Sequence, residues 1–465
     1  MTFSRRSLLG ALGALPFTRL ARLQRLAAAR GRAVLDTRPI PTPSQLEWQR
    51  DELAMFLHFG VNTFTGREWG DGQESPAIFA PTALDCRQWA RTARNAGFRT
   101  MVLTAKHHDG FCLWPTRTTR HSVASSGWNG GQGDVVREFV DACRSEGLKP
   151  GLYCSPWDRN ATAYGDSPRY NAMYRDQLTE LLTNYGPIHE VWFDGANGEG
   201  PNGRRQVYDW PATFSLVRRL QPNAVMFSDA GPDIRWIGNE RGSAGDPNWS
   251  TIDPDAVPYP GVDAPGVIEA LQHGHPDGTV WRPGETDTSI RPGWFYRPEE
   301  DARVRTPDEL VDLYFTSVGR NSKLLLNVPP NMAGLLHATD VANLLEMRRR
   351  LSGLFADDLT TGRHPTWRQI GDRGGELTID LGRLTRVGIA DLREEIERGQ
   401  VVARYTLEGN DGTRWRTLVA GETIGCRKLD RFPATHIRRV RLRIDEALDT
   451  PRPIRLALYE GQEAG

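Results

Sequence analysis

Between residues 53 and 330, short apolar runs alternate with segments of helical period. This alternation constrains the fold more than any other feature of the chain. The runs at 53–59, 100–105, 150–154, 190–193, 224–228 and 323–327 read as strands. The segment 85–96 reads as a helix with Trp89 and Ala93 on one face. In 134–146, Val135, Phe139 and Cys143 recur at helical spacing. Further helices are predicted over 170–185 and 214–220. Thr306-Pro307-Asp308-Glu309 combines an N-cap, a proline at N1 and an acid at N3, and starts a helix running to Gly319. Strand and helix in alternation predict a parallel α/β fold, with a (β/α)8 (TIM) barrel and a doubly wound sheet as its two forms. No G-x-G-x-x-G follows the first strand, which speaks against the dinucleotide-binding version of the doubly wound sheet. The stretch 235–296 is rich in Gly, Pro and Trp, and it reads as extended loops over a site, not as regular barrel units.

After a helix at 337–355 the period changes to two. Leu377 to Leu381, Val440 to Ile444 and Ile454 to Leu458 alternate apolar and polar residues, and Asn410-Asp411-Gly412 is a hairpin signal. This predicts a separate C-terminal β-sandwich. It could bind carbohydrate or simply support the barrel by packing. The expected division is a signal and linker at 1–32, a catalytic barrel at 33–355 and the sandwich at 356–465.

The chain carries 58 basic and 58 acidic residues, which removes the electrostatic footprint of a nucleic-acid binder. Its five cysteines form no C-x-x-C, so neither a zinc knuckle nor a disulfide scaffold is indicated. Ser4-Arg5-Arg6-Ser7 before the apolar run 8–17 resembles a twin-arginine export signal, with Ala27-Ala28-Ala29 a candidate cleavage site. A chance Arg-Arg in an Arg-rich chain is the plain alternative. The run is too short to span a membrane. A periplasmic or secreted location is the expectation.

Polar residues gather where the predicted strands end: His58, His107, His108, Trp157, Asp194 and Asn327. In a barrel that end is the catalytic face. The adjacent histidines of Lys106-His107-His108-Asp109-Gly110 admit three roles: metal binding, a structural pair, or hydrogen bonding to a ligand. On an ideal strand they would point to opposite faces, so they converge only if the strand has ended. Three acids stand in promising settings. Asp194 follows an apolar strand and precedes Gly195, although an Asp-Gly is often only a turn. Glu240 follows a Gly-Asn turn among aromatics. Glu285 lies among Trp and Arg, where Arg282 could simply pair with it. Two carboxylates flanking a sugar bond are what glycoside hydrolysis requires.

The series Met55-Phe56-Leu57-His58-Phe59-Gly60, Glu68-Trp69, Thr104 to Phe111, Gly151-Leu152-Tyr153 and Trp192-Phe193-Asp194-Gly195 resembles the α-L-fucosidases of glycoside hydrolase family 29. The resemblance covers nearly the whole chain from about residue 50. It implies a (β/α)8-like barrel and a retaining double displacement, with no cofactor and no metal, on a fucosylated oligosaccharide. It implies that Asp194 is the nucleophile and that His58, His107, His108, Tyr153 and Trp192 hold fucose, with Glu68 and Trp69 nearby. It also implies that Asp109 orients the histidines or their loop. Gly238-Asn239-Glu240 and Ser289 to Tyr296, which includes Trp294, are similar to the subgroup acting on α-1,3/1,4-linked fucose. There Glu240 fits the acid/base role, with Glu285 and Glu68 as alternatives. Cys154 departs from the family pattern after Tyr153. A metal-dependent hydrolase on a similar barrel and an inactive sugar-binding protein are the readings from other classes.

Overall fold

In the computed structural model, which describes residues 38–461, strands meet helices in the expected order. The barrel strands are β1 (Leu53–Leu57), β2 (Thr100–Lys106), β3 (Lys149–Cys154), β4 (Glu190–Trp192), β5 (Val225–Ser228) and β6 (Ile234–Trp236). Then β7 (Thr251–Ile252) and β8 (Val280–Trp281) form a small antiparallel pair outside the barrel. Two more barrel strands follow, β9 (Gly284–Ser289) and β10 (Ser322–Asn327). The eight parallel strands close in the order β1-β10-β9-β6-β5-β4-β3-β2.

Local chemistry explains the helices. Cys86–Asn95 and Val135–Ser145 are capped by Asp85 and Asp134, and each buries the face read from its spacing. Ser167–Asn184 and Trp210–Leu220 begin earlier than periodicity suggests, because each has a proline in its first turn, and Asp209 caps the second. The capping box at Thr306 and Glu309 forms, but that helix, Pro307–Thr316, ends before Gly319.

The stretch 235–296 differs from expectation, for it contributes β6 and β9 to the barrel. Strand β6 has three residues, too few to show a period. One face of β9 is Glu285, Asp287 and Ser289, so it has no apolar alternation to read. Polar residues can occupy that face because the lumen supplies partners. Trp192 Nε1–H donates to Glu285 Oε1 (3.0 Å), Trp236 Nε1–H to Asp287 Oδ1 (2.7 Å) and Asn327 Nδ2–H to Ser289 Oγ (2.9 Å).

Phe56, Tyr153, Trp192 and Phe227 fill the lumen with Val102, Ile234 and Leu325. The helix Pro43–Arg50 inserts Trp48, fully buried, toward the N-terminal ends of the strands, where its Nε1–H reaches Glu190 Oε2 at 3.0 Å. Removing an indole of this size from water is worth roughly 4–6 kcal/mol before ordering entropy is subtracted.

The C-terminal part is antiparallel. Strands β11 (Thr366–Ile370), β12 (Gly374–Arg393), β13 (Val402–Asn410), β14 (Trp415–Glu422), β15 (Lys428–Ala447) and β16 (Arg455–Tyr459) join in the order β11-β12-β15-β13-β14, with β16 on β12. Asn410-Asp411-Gly412 makes the turn between β13 and β14, where Asn410 pairs with Trp415. Bulges break the long β12–β15 ladder between Asp380 and Thr385 and between Val387 and Ile389, beside a separate apolar core. This sheet is bonded to the segment that follows β6. Lys428 Nζ donates to Asp246 Oδ1 (2.6 Å), Asn248 N–H to Thr423 Oγ1 (3.1 Å) and Ser250 N–H to Gln400 Oε1 (2.8 Å). Among the described residues no helix is long and apolar enough to cross a membrane. Arg5, Arg6 and Ala27-Ala28-Ala29 lie outside the described residues.

Candidate active site

The histidine pair converges because β2 has ended. The β2–β3 register slips between Thr104 and Lys106, and β2 stops at Lys106. His107 and His108 then lie with ring centroids 4.1 Å apart. Lys106 goes elsewhere: buried, it ion-pairs with Asp158 (3.0 Å) and donates to Gln177 Oε1 (2.8 Å) on the helix Ser167–Asn184. Gly110 turns the chain with φ +82°, and a Cβ there would fall 2.3 Å from Asp158 Oδ1. Asp109 serves the loop. It accepts Phe111 N–H at 2.7 Å and Asn62 Nδ2–H at 3.1 Å, while His107 Nδ1 lies 4.0 Å away, beyond hydrogen-bond reach. Burial pushes its carboxyl up to about 7.

Hydrogen bonds fix which nitrogen of each imidazole faces a ligand. Ser155 donates its only hydroxyl proton to the Trp157 carbonyl (2.8 Å), so at 2.7 Å it accepts from His108 Nδ1–H. In its neutral form His108 therefore has its lone pair on Nε2, which lies 3.7 Å from Asp194 Oδ2. Asn327 donates through Nδ2 to Ser289 Oγ and to the Trp294 carbonyl. Its Oδ1 thus points at His58 Nδ1, 2.8 Å away, and His58 too keeps Nε2 as an acceptor. Two acceptors of this kind suit the O–H donors of a polyol.

Asp194 follows β4 with its side chain 13 % exposed. It accepts Ala196 N–H at Oδ1 (2.7 Å) and the Tyr153 hydroxyl at Oδ2 (3.1 Å). Gly195 is required beside it, since a Cβ would sit 2.4 Å from Asp229 Oδ2. Trp192, 7 % exposed, stacks on Phe227 at 4.2 Å and lies 5.2 Å from Tyr153, so it belongs to the layer beneath the strand ends. Trp69, 39 % exposed, stands 5.9 Å from Trp157 and 6.2 Å from His108. Trp294 packs 5.0 Å from His58, and Phe295 5.0 Å from His107.

The remaining acids separate by environment. Glu68 accepts Trp294 N–H (2.7 Å) and ion-pairs with Arg297 (2.5 Å), so it anchors the loop after β9; burial raises its pKa against those two partners. Glu240 is exposed on a tight loop. Gly238 takes φ +81°, while Asn239 accepts Arg241 N–H (3.0 Å) and donates to the Ser243 carbonyl (2.9 Å). Asp287 is buried, and desolvation pushes its pKa well above the usual carboxylate range. The charges of Glu240 and Asp194 push it the same way, so both lie within electrostatic reach of it. Glu285 has no exposure and is hydrogen-bonded to Trp192 within the lumen. Among the described residues no group of three or more His, Cys, Asp or Glu side chains could hold a metal ion.

Ser155, Trp157, Trp236, Asp287, Phe295 and Asn327 also line or brace this end of the barrel. Trp157 and Asn327 were signalled by their position at strand ends. Asp287 and Trp236 were signalled only by acids interleaved with tryptophans, and Ser155 and Phe295 by nothing beyond their neighbours.

The family description "Alpha-L-fucosidase" matches residues 63–352. α-L-Fucosidase 1 of Arabidopsis thaliana is 40 % identical over 457 residues, covering 92 % of this chain and 88 % of its own. A crystal structure of a glycoside hydrolase 29 family member from an unknown rumen bacterium is 41 % identical, with a TM-score of 0.85 over 92 % of this chain and 78 % of that one. A glycoside hydrolase family 29 fucosidase of Ruminococcus gnavus, solved in complex with fucose, is 31 % identical, with a TM-score of 0.82 over 91 % and 95 %.

Proposed function

The chain belongs to the α-L-fucosidase family, glycoside hydrolase family 29, and we propose that it releases terminal α-1,3- or α-1,4-linked L-fucose by a retaining double displacement. The observation that carries this reading is the setting of Asp194. Two donors, Tyr153 O–H and Ala196 N–H, hold its carboxylate at the mouth of the barrel beside His108. Asp194 attacks the anomeric carbon as the bond to the departing sugar oxygen breaks, and Glu240 gives that oxygen its proton. Glu240 then takes a proton from water, which attacks the same carbon and frees Asp194. Two inversions return the α configuration.

His58 and His108 accept sugar hydroxyls at Nε2, and His107 completes the group. Trp69 and Trp294 wall the ring, and Trp192 and Tyr153 support it from beneath. Glu68 holds the loop that carries Trp294. Bound fucose in the R. gnavus relative supports this choice of sugar. Glu240 is preferred to Glu285 because it is exposed, whereas Glu285 is enclosed in the lumen. The loops at 238–242 and 289–296 support the linkage preference.

Comparing rates on Lewis-type trisaccharides and 2′-fucosyllactose tests the linkage, and NMR of the first-formed sugar anomer tests retention. Faster cleavage of 2′-fucosyllactose would favour a broad enzyme, and release of β-fucose would overturn the double displacement. The Arg5-Arg6 pair supports export by the twin-arginine route. Replacing both by Lys should trap activity in the cytoplasm, and unchanged periplasmic activity would refute that route.

A further inference from the structure

Beneath the sugar pocket, the lumen holds a second group of charged side chains with no access to solvent. Glu190 opens β4, while Glu285 on β9 and Lys323 on β10 are register partners. Glu190 and Glu285 have no exposure, and Lys323 has almost none. Lys323 Nζ lies 3.7 Å from Glu190 Oε2, donates to Thr100 Oγ1 at 3.3 Å and sits 4.8 Å over the Trp48 ring. Two indoles complete the group. Trp48 Nε1–H donates to Glu190 Oε2 and Trp192 Nε1–H to Glu285 Oε1, each at 3.0 Å. One oxygen of each acid, Glu190 Oε1 and Glu285 Oε2, is buried without a hydrogen-bond partner.

One ammonium cannot compensate two carboxylates in a lumen closed to bulk solvent, because an unpaired buried charge is strongly unfavourable. The groups acting on Glu285 are Glu190 and Asp287, both acidic, with Lys323 and the Trp192 indole opposing them. Glu190 has an indole donor and the ammonium in ion-pair contact at 3.7 Å, whereas Glu285 has an indole donor and feels Lys323 only at longer range. A proton on Glu285 balances the charge and gives both orphaned oxygens a use. Glu285 Oε2–H becomes a donor and Glu190 Oε1 an acceptor, directly or through one water.

We propose that Glu285 is a buried carboxylic acid that keeps its proton, and that in this form it positions Trp192 beneath the sugar. Its other oxygen holds the Trp192 indole. That ring stacks on Phe227 and packs against Tyr153, whose hydroxyl donates to Asp194. Glu285 thus acts on the reaction through Trp192 without touching substrate. Only the kinetic part of this proposal rests on the reading of Asp194 as nucleophile.

Glu285→Gln reproduces the shape and hydrogen bonding of the protonated acid. An infrared difference spectrum between the parent and this variant, taken above neutral pH, should show the loss of one protonated-carboxyl C=O band. That measurement is independent of fucosidase activity. Glu285→Gln should fold and keep kcat/KM within about threefold on both an aryl fucoside and a fucosylated glycan. Glu285→Leu, which cannot accept from Trp192, should lower kcat/KM about tenfold or more, by a similar factor on both substrates. Restoration by Gln of what Leu removes would distinguish hydrogen bonding from filling of space. Absence of the infrared band would overturn the proposal, as would failure of Glu285→Gln to fold. So would loss of activity in Glu285→Gln on the glycan alone with rescue by azide, since that marks an acid/base.

Discussion

The two halves of the barrel are built differently. From β1 to β5, each strand returns to the next through at least one helix. Strands β5 and β6 are joined by residues 229–233 without a helix, and between β6 and β9 the chain makes the β7–β8 pair, a 3-10 turn at Pro254–Ala256 and one short α-helix, Val267–His273. The regular half supplies His58, His107, His108, Tyr153 and Asp194, at or just beyond strand ends. The irregular half supplies Trp236, Glu240 and Asp287, and the loop after β9 supplies Trp294. Side chains at strand ends are fixed by neighbouring strands, as Asn327 fixes His58 and Ser155 fixes His108. Glu240 instead stands on a loop whose shape depends on Gly238, Asn239 and the segment bonded to the C-terminal sheet. In the proposed reaction, the regular half supplies the nucleophile and the histidines that hold the fucose every substrate shares, and the irregular half supplies the acid that meets what departs.

The largest effect should come from the regular half. Asp194→Ala should lower kcat by about three powers of ten or more, because no covalent intermediate can form. The loss should be as deep on an aryl fucoside as on a glycan. Near-normal turnover in a steady-state assay would remove Asp194 from the reaction, and a loss confined to one substrate would break the contrast between the halves.

Glu240→Ala should discriminate between substrates. A general acid matters most when the leaving group is poor. This variant should therefore be nearly inactive on a fucosylated glycan, a loss of about 10²–10⁴-fold. It should be much less impaired in forming the fucosyl-enzyme from an activated aryl fucoside. Azide, which needs no base, should restore turnover and give α-fucosyl azide. Equal losses on both substrates, with no azide product by NMR, would place Glu240 among the residues that only shape the loop.

The histidines should show a smaller and uniform effect. His58→Ala and His108→Ala should each cost about 1–3 kcal/mol in kcat/KM, the price of leaving a buried partner unsatisfied. The ratio between glycan and aryl fucoside should stay constant. A change in that ratio would mean that these rings also touch the departing sugar.

The regular half was also the legible half. Its strands are apolar runs, and the helices between them carry caps and faces that a sequence displays. The Asn410-Asp411-Gly412 turn was equally plain, because its chemistry is local. Strand β9 was hidden because Glu285, Asp287 and Ser289 turn into a lumen that only the closed barrel creates. The convergence of His107 and His108 depended on where β2 stops, and that is set by a register slip against β3. The tautomers of His58 and His108 depend on Asn327 on β10 and Ser155 just after β3, distant partners that no local pattern announces. Asp194 and the His-His-Asp-Gly motif were recognisable as a family pattern, although their roles follow from proton positions and partners.

The smallest expected effect concerns stability in the regular half and turns on Asp109. Burial pushes its carboxyl up to about 7, the charges of Glu74 and Asp158 act in the same direction, and the Phe111 N–H opposes them. In the unfolded chain an aspartate titrates near about 3.9. The folded state therefore holds this proton more tightly. The resulting stabilisation is complete below about pH 4 and is lost as pH rises through about 7, with an upper size of roughly 4 kcal/mol. Asp109→Asn carries no charge at any pH and keeps an oxygen for Phe111 N–H. Its amide can also pair with Asn62, whose Oδ1 has no hydrogen-bond partner, once the Asn62 amide turns over. The variant should melt close to the parent near about pH 4, pull ahead as pH rises, and be a few degrees above it by about pH 8. Turnover should change little, and equally on every substrate, because Asp109 braces the loop and does not face the sugar. A melting difference that stays constant with pH would show that Asp109 is already ionised in the folded protein. A variant that instead lost stability as pH rose would point to an ion pair with His107 across the 4.0 Å that separates them.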